Sequence, residues 1–118
     1  MGDFRDLKAW TASRELAAIT YRLTERFPAS ERFGLVAQMR RAAVSVMSNI
    51  ADGAGRGTDR QFAAMLAVAS GSLRELESQC YLATDLGYGS ADLSAELLES
   101  STRTGRLLFG LVRSLHAR

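Results

Sequence analysis

Four arginines collect in sequence where an anion could meet them. Arg40 and Arg41 precede the glycine-rich stretch 53–57, Arg56 lies within it and Arg60 just after it. A planar guanidinium makes paired hydrogen bonds to phosphate oxygens, and the free amides of a helix beginning after Thr58 would add a favourable dipole. Phosphate binding is one reading of this pattern. The other is that Asp52, Asp59 and nearby carbonyls hold the same cations in ordinary surface pairs, and the sequence leaves both open. Catalytic chemistry finds fewer candidates. Gly53, Gly55 and Gly57 follow a helical segment rather than a strand, and no Lys-Ser or Lys-Thr pair completes a phosphate loop. Cys80 and His116 are the only cysteine and histidine, which excludes an internal disulfide and a Cys/His zinc site. Cys80 falls on an apolar seam as a packing residue, and His116 suits the last turn of a helix. Glu75 and Glu77 point about 200° apart on a helix and do not converge on a substrate. A di-iron bundle needs two Glu-x-x-His pairs, which one histidine cannot supply. The expectation is a binding protein rather than an enzyme, with no catalytic residue, metal or cofactor.

The elements that must position these arginines read as four helical segments, about 6–26, 31–52, 58–86 and 90–116, within one domain spanning 1–118. They are separated at Phe27-Pro28, at the glycine run and at Gly87-Tyr88-Gly89. Short connections make neighbours antiparallel, so the predicted fold is all-α, an up-down-up-down four-helix bundle. The first segment sets Leu7, Trp10, Ala17 and Tyr21 on one face and Leu16, Ile19, Leu23 and Phe27 on nearly the opposite one. That is more apolar surface than one bundle face needs, and it suggests cover by another subunit. Trp10, Tyr21 and Phe27 could stack on bases, but aromatics at helical spacing favour packing. In the second segment, with Ser30 expected as N-cap and Gly53 as terminator, Val36, Met39, Ala43, Val46 and Ile50 form the core stripe. Gln38, Arg41, Ser45, Ser48, Asn49 and Asp52 lie across from it. Thr58 and Gln61 make a capping box for the third segment. Its seam is Phe62, Leu66, Ala69, Leu73, Leu76, Cys80 and Ala83, alternating spacings of four and three. Leu93, Leu97, Leu108, Leu111 and Leu115 continue the core in the fourth, where Gly105 and Gly110 are expected to permit close helix approach.

Composition supports this architecture. The 118 residues contain one proline against 10 glycines, with 47% hydrophobic and 24% charged residues, values typical of a single folded domain. A net charge of +2 permits an anionic partner without demanding one. The N-terminal stretch carries no signal pattern, no Ser or Thr follows Gly2 in a myristoylation motif, and no run approaches the ~20 apolar residues that span a bilayer. A cytoplasmic location without membrane contact is the resulting expectation.

The stretch FPASERFGLVAQMRRAAVSVMSNIADGAGR from Phe27 to Arg56 resembles a bacterial four-helix-bundle family associated with intervening sequences in large-subunit ribosomal RNA genes. The likeness continues through Phe62, LAVASGSLRELESQ from Leu66 to Gln79, and LGYG from Leu86 to Gly89. Motif positions therefore run through roughly two thirds of the chain, and the first and last segments agree mainly in pattern. Asp52 stands where the family usually has glutamate in Asn-Ile-Ala-Glu-Gly, which keeps the charge and shortens its reach. The resemblance implies a left-handed bundle that assembles as a homopentamer, a ring with a central channel. A similar branch, the accessory variability protein of diversity-generating retroelements, is a basic pentamer that binds nucleic acid and a reverse transcriptase. The present chain is less basic than that role leads one to expect.

Among the motif positions, Gln38, Asn49 and Glu75 are expected to knit the bundle or its subunit interface, because polar residues can fix register and oligomeric state. Arg40, Arg41, Arg56 and Arg60 are the candidate nucleic-acid contacts. The expected function is that of a non-enzymatic homopentamer that binds RNA or DNA through those arginines. The alternative is a protein–protein adaptor in which nucleic acid is incidental.

Overall fold

The computed structural model describes residues 3–118, so the reading made on Gly2 lies outside it. Four helices fill the described chain, with no strand: α1 (Lys8–Thr24), α2 (Leu35–Ala54), α3 (Asp59–Asp85) and α4 (Ala91–His116). Short 3-10 turns at Phe4–Asp6 and Ala29–Glu31 precede α1 and α2.

The helix ends follow local chemistry, though not always at the expected residue. Thr58 accepts the Gln61 amide at 3.1 Å and Ser90 accepts the Leu93 amide at 3.1 Å, so α3 and α4 each start on a hydroxyl cap. Ser30 does not cap α2. It sits inside the 3-10 turn, and the helix begins one turn later, where the Glu31 carboxylate accepts the Leu35 amide at 3.1 Å. A Cβ on Gly34 would come within 2.7 Å of that carboxylate oxygen and would have to push the Glu31 side chain away from its capping position. Gly53 does not terminate α2 either. It is buried inside the helix, where a Cβ would stand 2.8 Å from the Phe62 ring and 2.9 Å from the Met65 Cβ. Its role is close approach of α2 to α3. The left-handed conformation appears instead at Gly87, φ 75°, where the amides of Gly87 and Tyr88 return to the carbonyls of Thr84 and Ala83 and close α3.

Each helix packs on its chain neighbours, and α4 closes on α1, while the diagonal pairs stay apart. Cross-contacts fix the antiparallel sense. Arg22 and Arg103 of opposite helices pair with Glu96 and Glu15, Ser45 meets Ser72, and Ser101 meets Glu77. The result is an up-down-up-down bundle with extents of 46 × 23 × 20 Å.

The expected stripes of α2 and α3 are all buried, as are Leu97, Leu108 and Leu115 of α4. Leu16, Ile19 and Leu23 of α1 are buried with them, as is Phe27 in the connection that follows. Hydroxyls within the core are satisfied locally: Thr20, Thr24 and Thr104 each donate to a carbonyl four residues back at 2.8 Å. The second apolar face of α1 is partly covered by its own chain. Trp10 meets Phe4 edge-on with ring centroids 5.0 Å apart, and the Arg40 guanidinium covers Tyr21, which still remains 45% exposed. Gly105 does lie against α3, its Cβ position 3.4 Å from Leu73, whereas Gly110 faces open space and makes no close approach.

Candidate functional site

The bundle does not bring the four candidate arginines together. Arg40 and Arg41 lie in the first third of α2, while Arg60 opens α3 at the opposite end, which the 1.5 Å rise per residue separates by about 20 Å. Arg40 is turned inward. It donates to the Thr24 hydroxyl at 2.9 Å and the Tyr21 carbonyl at 3.4 Å, and its guanidinium lies 4.4 Å from the Tyr21 ring centroid. That geometry clamps α2 to the end of α1. Arg56 forms a two-pronged pair with Asp52 at 3.2 and 3.0 Å, which holds its guanidinium above the ordinary arginine range. Asp59 is taken by Arg118, whose guanidinium holds that carboxyl below the usual range. Arg41 and Arg60 are exposed, and among the described residues neither makes an ion pair. Asp52 therefore does reach Arg56 despite being shorter than glutamate.

The polar motif positions lie along the outer seam of α2 and α3. Asn49 donates to the Ser45 carbonyl at 2.8 Å and hydroxyl at 3.0 Å, and Ser45 shares a 2.8 Å bond with Ser72 across the seam. Glu75 accepts from Gln79 at 3.3 Å on the exposed surface, and Gln38 is exposed. Beside them on α3 stand isolated apolar side chains, Val68 separated from the pair Leu82 and Leu86 by Ser72, Glu75 and Gln79. Val68, Leu82 and Leu86 are each about half exposed, at 50%, 49% and 49%.

Between α3 and α4 opens a groove of about 940 Å³. Ala63, Ala67, Ser70, Leu73 and Gly105 are among its lining residues, and Phe109, 65% exposed, stands on its α4 side. Arg60, Arg74, Arg106 and His116 border it. The one acid there, Glu77, accepts the Ser101 hydroxyl at 2.6 Å. The groove is therefore apolar with a positive rim. Sequence reasoning missed Arg74, Arg106 and Phe109, because it weighed arginines by nearness along the chain. The recurrence Arg60, Ala63, Ala67, Ser70, Arg74 at spacings of three and four was the available signal, a helix face of small and basic residues.

Cys80 is fully buried, and burial pushes its thiol up, away from the reactive thiolate. Among the described residues no group of three His, Cys, Asp or Glu side chains could hold a metal ion. None of the described helices is long and apolar enough to cross a membrane. The described surface thus carries an apolar groove with a basic rim and the exposed guanidinium groups of Arg41 and Arg60.

Comparison with curated proteins finds no match. A family model does match, over residues 5–110, and its description is 23S rRNA-intervening sequence protein.

Proposed function

Since the chain belongs to the 23S rRNA-intervening sequence protein family, we propose that it acts in the cytoplasm as a non-catalytic ring-shaped homopentamer whose copies bind nucleic acid together through arginine. The observation that carries assembly is the apolar groove left uncovered between α3 and α4 on one chain, with Phe109 65% exposed at its edge. Assembly is also what would make the cations effective. Arg40 and Arg56 are engaged within the chain, so each copy offers Arg41 and Arg60, and only repetition around a ring multiplies two weak contacts into a strong one. Guanidinium–phosphate pairing is backbone recognition, so the expected binding tolerates sequence and depends on salt.

Light scattering on the purified chain, followed by salt titration of its binding to labelled RNA and DNA, tests both parts. The expected mass is five times the 12.8 kDa chain. With six to ten phosphate contacts, affinity should fall roughly 10³-fold or more between 50 and 200 mM salt. Arg41→Glu with Arg60→Glu should weaken binding and leave the mass unchanged. A monomer mass would sink the ring. A ring without salt-sensitive binding would sink the nucleic-acid role, and a stoichiometric protein partner retained after nuclease treatment would then favour an adaptor.

A further inference from the structure

The last turns of α4 face outward with cations and one aromatic ring. Residues 100–118 include Arg103, Arg106, Arg113, His116 and Arg118 and no acidic side chain. Glu99, the acid of α4 nearest to Phe109, lies ten residues or about 15 Å back along the helix. Arg103 and Arg118 are taken by Glu15 and Asp59, whereas Arg106 and Arg113 are exposed and make no ion pair among the described residues. Spacings of three and four set Arg106, Phe109, Gly110 and Arg113 on one side of α4, with the two arginines about 10 Å apart along its axis. Phe109 is 65% exposed, the Arg113 guanidinium lies 5.8 Å from its ring centroid, and a Cβ on Gly110 would meet nothing within 4 Å. A ring therefore stands beside open space, between two free cations. The other strongly exposed rings have acids for neighbours. Tyr81 is one turn from Glu77 and one from Asp85, and Phe33 shares its end of the bundle with Glu25, Asp85 and Asp92.

Resting on the nucleic-acid reading above, we propose that this face of α4 binds single-stranded nucleic acid, with an unpaired base stacked on Phe109 and the adjoining phosphates at Arg106 and Arg113. Stacking needs a free base face, which a duplex keeps inside its own stack, so Phe109 adds strand selectivity to the phosphate contacts of Arg41 and Arg60. Every base has such a face, and the binding still tolerates sequence. Arg113 lies beyond the residues 5–110 that match the family model, so the site does not follow from family membership.

Fluorescence anisotropy at low salt would compare a labelled single-stranded RNA with the same strand annealed to its complement. The proteins are the wild type, Phe109→Ala, Phe109→Trp and Arg106→Gln/Arg113→Gln, with light scattering and circular dichroism on the same samples. The wild type should prefer the single strand. Phe109→Ala should weaken single-strand binding about 5-fold or more and leave duplex binding unchanged, while Phe109→Trp keeps both. Arg106→Gln/Arg113→Gln should flatten the salt dependence of single-strand binding. A wild type that binds strand and duplex alike, or a Phe109→Ala variant that loses nothing, overturns this site and leaves the nucleic-acid reading standing. A wild type that binds neither overturns both. A fall in assembled mass on Phe109→Ala would make Phe109 a subunit contact, and loss of a protein partner at unchanged RNA affinity would make it a protein contact; either result overturns the proposal.

Discussion

Arg40 and Arg41 are neighbours in sequence with opposite environments. Arg40 bonds the Thr24 hydroxyl and stacks on Tyr21, whereas Arg41 points outward. Hydrogen bonds to a charged group contribute about 1.5–3 kcal/mol and an exposed cation–π contact about 0.5–1, part of which water recovers on truncation. Arg40→Ala should therefore lower stability by about 1–2 kcal/mol, read as an earlier midpoint in urea. Arg41→Ala should stay within about 0.5 kcal/mol of wild type in the same titration, as surface substitutions do. Equal losses would mean that the inward geometry of Arg40 contributes nothing. Cys80 offers a second check at this scale. With its thiol buried and pushed up, thiolate forms only when α3 opens, so an aromatic disulfide reagent at pH 8 should label native protein orders of magnitude more slowly than protein in urea. Rapid native labelling would show that this part of the core is not closed.

At the scale of elements, glycines at two helix positions act in opposite ways. Gly53 is the point where α2 touches α3, and a methyl group there must displace the Phe62 ring and the Met65 stem. Overpacking of this kind costs about 1–3 kcal/mol, against less than 1 kcal/mol gained in helix propensity, so Gly53→Ala should destabilise by about 1–2 kcal/mol. Gly110 meets nothing within 4 Å, and Gly110→Ala should raise stability by about 0.5–1 kcal/mol. Paired urea titrations would check both, and a loss at Gly110 would show that this surface is already covered by a second chain. The helix starts carry the same distinction. Thr58 was legible as a cap because the box of Thr58 and Gln61 is local. The start of α2 was not legible at Ser30, because Glu31 reaches forward from the preceding turn to take the Leu35 amide.

For the whole molecule, assembly links stability to concentration, since a contact made only by folded chains draws the equilibrium toward them. The melting temperature should rise with each tenfold increase in protein concentration at fixed buffer. A flat dependence would mean that association adds nothing to the folded state. The four helices, their order, their antiparallel sense and nearly every core position of α2 and α3 were determined by the sequence alone, because apolar spacing of three and four residues is a property of one helix and survives any arrangement of its neighbours. Family membership was determined the same way, by motif positions read in order. Which arginines are free was decided only by tertiary structure. Arg40 is held by α1, and Asp59, the acid next to Arg60 in sequence, is held by Arg118 from just past the far end of α4. The groove likewise exists only where α3 meets α4, because it needs Arg74 and Arg106, separated along the chain by a turn and parts of two helices, to border one surface. Charge and contact act through space, and distance along the chain does not report distance across a bundle.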